Sequence, residues 1–337
     1  MHIKNRFFQV VLLVCCLQVS RATSASLFVG TYGSGIFISH DNGLTWISVN
    51  NGLTRTNIRT LVSSDSNLFA GTAGGMFLST DNGTSWNSIN TGLTDNHILA
   101  LAISGTNLFA GTYFGGVFLS TNNGENWNAI NNGLDNTIVN ALALSGKNLF
   151  VGTNGGGVFL STNNGTSWEA VNNGLIDKFV YSLAVSGKYL FAGTDEGVFV
   201  SNDNGATWIS KNNGLANIEY NDLALSDDPI RTNENVQCIT AHGSSIFIGT
   251  QKGGVFVSND NGNNWIPANR GLKNLDVYSI AVLGNTLFVG TYGGGVFVSN
   301  DNGKRWNKAN NGLTNMCVWS FLTKEEFHDS PLQASLE

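Results

Sequence analysis

One octet constrains this chain more than any other feature. Ser39-His40-Asp41-Asn42-Gly43-Leu44-Thr45-Trp46 recurs six further times, beginning at Ser79, Ser120, Ser161, Ser201, Ser258 and Ser299. The copies end at Trp86, Trp127, Trp168, Trp208, Trp265 and Trp306, so Trp319 is the one tryptophan outside an octet. Successive octet tryptophans lie 40, 41, 41, 40, 57 and 41 residues apart. A near-constant period of this length, filled with short apolar runs bounded by Gly and Asn, is the range of a four-stranded propeller blade.

The unit reads most clearly after His97. Residues 98–104 form an apolar strand A, and Gly105-Thr106-Asn107 turns the chain into strand B at 108–112. A loop over 113–116 leads to strand C at 117–121, and the octet turns the chain into strand D at 127–131. The first repeat starts at Ser26 with strand B and has no strand A, whereas residues 317–323 form a strand A with no following blade. The two ends complete one another. The expected fold is all-β: a single seven-bladed β-propeller over 26–323, closed by strand 317–323 joining the first blade, which removes the open edges of an array. The long spacing comes from sixteen extra residues between Gly214 and Val236. Residues 220–226 and 236–241 compete for strand A there. The second is preferred, because Gly243-Ser244-Ser245 then repeats the usual short turn.

The N-terminus has a different character. Lys4 and Arg6 precede an apolar run over 7–19, and Thr23-Ser24-Ala25 offers small residues for cleavage. This is the layout of a secretory signal peptide over 1–25, and the expected location is secreted or periplasmic. Cys15 and Cys16 lack the small-residue context of a lipoprotein site. Without residues 1–25 the charge is 14 − 23 = −9, which leaves no basic footprint for nucleic acid or anionic lipid. No membrane insertion is expected after cleavage, and the mature chain reads as a monomer. Cys238 and Cys317 are too few for a disulfide framework. His2, His40, His97, His242 and His328 show no ligand spacing, so neither metal nor cofactor is expected. His97 and His242 read as surface loop residues. The triglycines at 155–157 and 293–295 lack a following helix and are turns, not phosphate cradles. Residues 324–337 read as a frayed tail.

The octet itself reads as a structural part. Gly supplies a positive φ, the Asp oxygen can accept backbone N–H groups across the turn, and the Ser hydroxyl can close that network. The indole can then pack between sheets. A calcium loop would need several carboxylates at alternate positions. Here one position is acidic, as Asp41, Asp81, Asp203, Asp260 and Asp301, and two copies replace it with Asn122 and Asn163. The pattern Ser-x-Asp-x-Gly-x-x-Trp resembles the Asp-box, or BNR, repeat, and the resemblance spans residues 26–323. That family includes sialidases, xyloglucan-degrading glycosidases, sortilin-type receptors and photosystem II assembly-factor propellers. The resemblance implies a box at each C–D turn, on the face opposite the working face. It specifies fold far more than function.

Function is therefore sought where the copies disagree. The B–C loops carry Tyr32, Ala73, Tyr113-Phe114, Asn154, Asp195-Glu196, Gln251-Lys252 and Tyr292. One strand A position carries Arg59, Leu99, Asn140, Tyr181, Gln237, Tyr278 and Trp319 in turn. Strand A lines a propeller's centre, so these residues form a candidate ring at the channel mouth. Aromatics beside polar groups suit sugar stacking or a protein partner; drift at exposed positions would give the same diversity. Tyr181, Tyr278 and Trp319 are the leading candidates for a binding patch.

Catalysis has weaker support. Sialidase-like chemistry needs an arginine cluster, and the mature chain has only Arg55, Arg59, Arg231, Arg270 and Arg305. A glycosidase needs two carboxylates on one face, for which Asp195, Glu196, Asp135, Asp177 and Asp276 stand in candidate loops. The reading is a non-catalytic scaffold for a protein or carbohydrate. The alternatives are a sialidase-like or glucanase-like glycoside hydrolase and, on resemblance alone, an assembly factor for a membrane complex. Deleting residues 316–323 should open the ring, read as loss of the single cooperative unfolding transition in chemical denaturation.

Overall fold

The most repeated strand, Asn-Leu-Phe-Ala-Gly-Thr at Asn67–Thr72 and Asn107–Thr112, is buried along nearly its whole length. A strand buried on both faces must lie between two other sheets. In the computed structural model, which describes residues 23–215 and 235–327, it is the second strand of a four-stranded antiparallel sheet. Seven such sheets stand in a ring, each strand A packed against the strand A of both neighbours. The blades' A strands are Val318–Phe327, Ile58–Ser64, Ile98–Ser104, Val139–Ser145, Val180–Ser186, Val236–His242 and Val277–Leu283. The chain is a seven-bladed β-propeller.

Blades approach closely because strand B carries a glycine. A Cβ on Gly111 would stand 2.4 Å from the Val139 side chain of the next blade. Gly71 meets Ile98 and Gly152 meets Val180 in the same way. The repeated Gly-Thr thus seats the β-branched first residue of the neighbouring strand A. Between blades the core is apolar: Phe109, Val117, Val139, Val151 and Trp168 belong to one such cluster.

The octet ties each blade to the one before it. Trp86 Nε1 donates to Val49 O at 2.9 Å, and Trp127 Nε1 donates to Ile89 O at 2.8 Å. Trp168, Trp208, Trp265 and Trp306 repeat the bond to Ile130, Val171, Lys211 and Ala268. Trp46 completes the circle on Ala309 at 2.8 Å. The turn that presents each indole is wired internally. In the first copy Ser39 Oγ donates to Asp41 Oδ1 at 2.7 Å and accepts from Gly43 N at 2.8 Å, while Asp41 Oδ1 also accepts from Thr45 N at 2.9 Å. Asn42 and Gly43 hold φ of 57° and 82°, a left-handed pair that Asn and Gly tolerate best. Asn122 and Asn163 take the acceptor role of the carboxylate through Oδ1.

Three boundaries differ from the sequence expectation. Strand D is only two residues long, as in Asn128–Ala129, and the tryptophan precedes it. A short outer edge limits pairing with another sheet, and the chain leaves because an asparagine captures it. Asn131 Oδ1 accepts from Val117 N at 2.7 Å, and its Nδ2 donates to Gly115 O at 2.8 Å. The closing strands are longer than expected. Thr23–Thr31 pairs with Val318–Phe327 from Thr23↔Phe327 onward, so the limits expected at 26 and 323 fall inside a paired ladder. In the blade with the long spacing, strand A is Val236–His242, as preferred; its competitor at 220–226 lies outside the described residues.

Hydrogen bonds from Thr45 hold the Asp41 carboxyl down to about 2. The matching bonds lower Asp81, Asp203, Asp260 and Asp301. A carboxyl depressed by folding stabilises the fold above its unfolded pKa, and that contribution is lost as pH falls through the folded value. The carboxylate turns should therefore loosen from about pH 4 down to about 2, while the Asn122 and Asn163 turns have no carboxylate to protonate. Amide exchange across this window should show Gly43 and Gly83 losing protection before Gly124 and Gly165. Equal loss at all four would refute the assignment.

Candidate functional site

Every strand A breaks register at one place, between its β-branched first residue and its small third residue. The pairing slips between Ile58 and Thr60, Ile98 and Ala100, Val139 and Ala141, and Val180 and Ser182. The same slip occurs in the remaining three blades. The skipped residues are Arg59, Leu99, Asn140, Tyr181, Gln237, Tyr278 and Trp319, the diverging set of the sequence. A β-bulge leaves its extra residue outside the ladder and re-aims the side chain. All seven line one central channel of about 770 Å³, open ends included.

The ring divides into unlike sectors. On one side the Arg59 guanidinium carbon lies 3.5 Å above the Trp319 ring. Trp319 stacks with Tyr278 at 6.1 Å and an interplanar angle of 16°, and meets Tyr32 at 4.8 Å. Tyr292 stands 5.9 Å from Tyr278. Burial lowers the Arg59 pKa, against the opposing effect of Tyr32 and Tyr278. Burial, and then the Asp276 carboxylate, raise Tyr278. Arg59 Nε and Trp319 Nε1 are buried without hydrogen-bond partners, a cost of about 1–3 kcal/mol for each such group.

The opposite sector is polar and internally paired. Tyr181 Oη donates to Asp195 Oδ2 at 3.2 Å, and Asn235 Nδ2 donates to Asp195 Oδ1 at 2.7 Å. Gln237 donates to Asn235 Oδ1. Asn140 Nδ2 reaches across to Val180 O at 3.0 Å. Tyr181 is thus in the same channel as Tyr278 and Trp319 but makes its contacts in a different sector.

The B–C loops form the rim. Tyr113 contacts Phe114 edge-on at 4.4 Å and stacks on His97 at 5.0 Å. His97, expected at the surface, has a buried Nε2 with no partner; burial, and then the Arg59 charge, lower its pKa. Phe114, Ile176 and Phe179 are exposed at 68, 75 and 46%. Glu196 is exposed, and Lys252 holds a φ of 68°, standing in the loop place that Gly155 and Gly293 fill in other copies.

Two of the carboxylates considered for catalysis, Asp177 and Asp276, are occupied in holding loops. Asp177 Oδ1 accepts from Phe179 N at 3.0 Å and Oδ2 from Glu196 N at 2.9 Å. Asp276 Oδ1 accepts from Lys252 N at 2.9 Å. Asp95, which the sequence reading passed over, is the fullest case: it accepts from His97 N at 2.9 Å, Phe114 N at 2.6 Å and Gly115 N at 3.0 Å. Burial alone would raise its pKa, yet these bonds lower it. From the same D–A position Asn136 and Asn315 hold their loops by donating instead, through Nδ2 to Asn154 O and Tyr32 O. That recurrence of Asn or Asp two residues after a repeated Leu was visible in the sequence.

Among the described residues no group of three or more His, Cys, Asp or Glu could hold a metal ion. Burial pushes the Cys238 thiol up to about 12, far from the thiolate a nucleophile needs. No helix among the described residues is long and apolar enough to cross a membrane.

Comparison with known proteins defines the fold class and stops there. No family model matches the chain, and no curated protein matches it. Among solved structures it is similar to YCF48 bound to a D1 peptide, at 15% identity and a TM-score of 0.58, over 80% of this chain and 89% of that one. It is similar to the GH74 xyloglucanase of Xanthomonas campestris at 13% identity and a TM-score of 0.58, over 83% of this chain and 46% of the enzyme. It is also similar to the computationally designed Ika8 protein, at 13% identity and a TM-score of 0.56, over 88% and 90% of the two chains. One architecture thus carries a peptide-bound propeller, a hydrolase and a designed protein, and function has to come from the site.

Replacing Asp95 with Ala should release the Tyr113-Phe114 loop. Amide exchange at Phe114 and Gly115 is expected to rise by tenfold or more, for a loss of about 1.5–3 kcal/mol in charge-assisted hydrogen bonding, while the octet amides stay protected.

Proposed function

We propose that this chain is a non-catalytic binding propeller that engages a protein partner through its B–C and D–A face. The observation that carries this reading is the convergence of seven diverging side chains on bulges around one channel mouth. Residues that differ from copy to copy there sit on a framework that barely changes. Six large apolar side chains, Tyr32, Tyr113, Phe114, Ile176, Phe179 and Tyr292, are exposed around the same face. Phe and Ile offer no hydrogen bond to sugar hydroxyls, which favours apolar protein side chains over carbohydrate. YCF48, a propeller of this fold, has been captured with a D1 peptide, which supports peptide recognition as a use of the architecture.

The hydrolase reading is weaker because Asp177, Asp195 and Asp276 serve as hydrogen-bond acceptors for neighbouring groups. The octet's form supports placing the chain among the Asp-box propellers, and residues 1–25 support export. Residues 324–327 add to the ladder in this reading, so they belong with the propeller rather than with the tail.

Replacing Tyr181, Tyr278 and Trp319 together with Ala should abolish capture of a partner by crosslinking from the native extracellular or periplasmic fraction. Glycan-array binding and turnover of sialosides or glucans should be absent from the wild-type chain. Hydrolysis lost on replacing Asp195 or Glu196 would overturn the proposal.

A further inference from the structure

Buried polar atoms without partners are rare in folded proteins, yet four of them belong to one side of this channel mouth or its flanking turn. They are Arg59 Nε, Trp319 Nε1, His97 Nε2 and Asn57 Oδ1. Arg59 and Trp319 are in direct contact, His97 lies within reach of the Arg59 charge, and Asn57 is two residues before Arg59. The first two are obligate donors. The imidazole donates from Nε2 in one tautomer, and the Asn57 amide presents a donor in its other orientation. What Arg59 Nε, Trp319 Nε1 and His97 Nε2 share is the lack of an acceptor. Among the described residues, no carboxylate pairs with Arg59; its charge interactions are with Tyr32, Tyr278 and His97.

We propose that the Arg59–Trp319 side of the mouth binds the carboxylate at the end of a peptide chain. A guanidinium presents paired N–H groups that match a carboxylate in a bidentate fork, and the Trp319 indole N–H stands beside it. One arginine balances one negative charge. The stacked Tyr278 and Trp319 rings, with Tyr32 against them, offer flat apolar surface for the last side chain. A chain end can bring its carboxylate inside the ring without passing further chain through it. The exposed Phe114, Phe179 and Ile176 would cover the preceding apolar side chains. This inference rests on the B–C and D–A face being the binding surface, and it names the group that face reads.

The test uses the 15N-labelled chain, whose eight tryptophans give eight indole reporters, with the Trp319 signal assigned through Trp319→Phe. The probes are N-acetylphenylalanine, its C-terminal amide and glucuronate. The free acid should move the Trp319 indole signal and bind at least roughly tenfold more tightly than the amide, as expected for loss of a charge-assisted hydrogen bond. Arg59→Gln should bring the acid down to the level of the amide, Arg59→Lys should restore part of the difference, and Arg55→Gln should change nothing. Unmoved octet indoles establish that each variant is folded. Equal binding of acid and amide would reduce the site to aromatic contact and overturn the proposal. Movement by glucuronate alone would make it an acidic-sugar site and also overturn it, as would no movement by any probe. If Phe114→Ala abolishes partner capture while Arg59→Gln leaves it intact, the face is a binding surface and the carboxylate site is wrong.

Discussion

Each blade is fastened to its predecessor by one indole. The tryptophan that ends an octet donates its Nε1–H to a carbonyl just beyond the previous strand D, and its own backbone N–H bonds to the same connection, as Trp127 N does to Thr91 O. Removing a buried Trp side chain costs about 3–5 kcal/mol, and these are among the largest buried side chains between the blades. Because the bond joins neighbours, no blade completes its own packing. Ser, Asp and Gly of the octet serve to fix the turn from which the indole is presented. A site in that turn would compete with the wiring that holds it.

The central channel follows the opposite rule. Its seven side chains occur where the strand A ladder slips, so the backbone of each is free of the pairing that constrains its neighbours. The residues on either side of a bulge are fixed by packing: a β-branched side chain against the next blade's glycine, and a small residue behind it. The bulged residue meets neither demand. That is why Arg, Leu, Asn, Tyr, Gln and Trp can all occupy this position while the blades keep their shape.

The architecture was legible because repetition exposes it. Trp spacing gave the blade count, the incomplete ends gave the closure, and the short Gly-Ser-Ser turn chose Val236–His242 over its competitor. The diverging strand A position pointed to the channel, although the bulge that aims it was not visible in one-dimensional spacing. Two kinds of residue were harder to read. Asp177 and Asp276 looked like candidate acids because a loop carboxylate carries the same letter whether it is solvated, catalytic or holding a backbone N–H. His97 looked like a surface residue because its burial depends on Tyr113, sixteen positions away and in another loop. The grouping of Arg59, Trp319, Tyr278 and Tyr32 in one sector required the order of blades around a closed circle, which joins residues from both ends of the chain.

Trp319 lies on the strand that closes the ring, while Arg59 lies on the second blade and Tyr278 on the seventh. The Arg59–Trp319 sector therefore does not exist in a partly synthesised chain, nor in one whose last strand has peeled away from Thr23–Thr31. Whatever occupies that sector is thermodynamically coupled to the seam: binding to the closed form holds the two termini together, in proportion to occupancy. The molecule's closing seam and its most individual surface are thus the same place, and recognition there doubles as a latch on the circle.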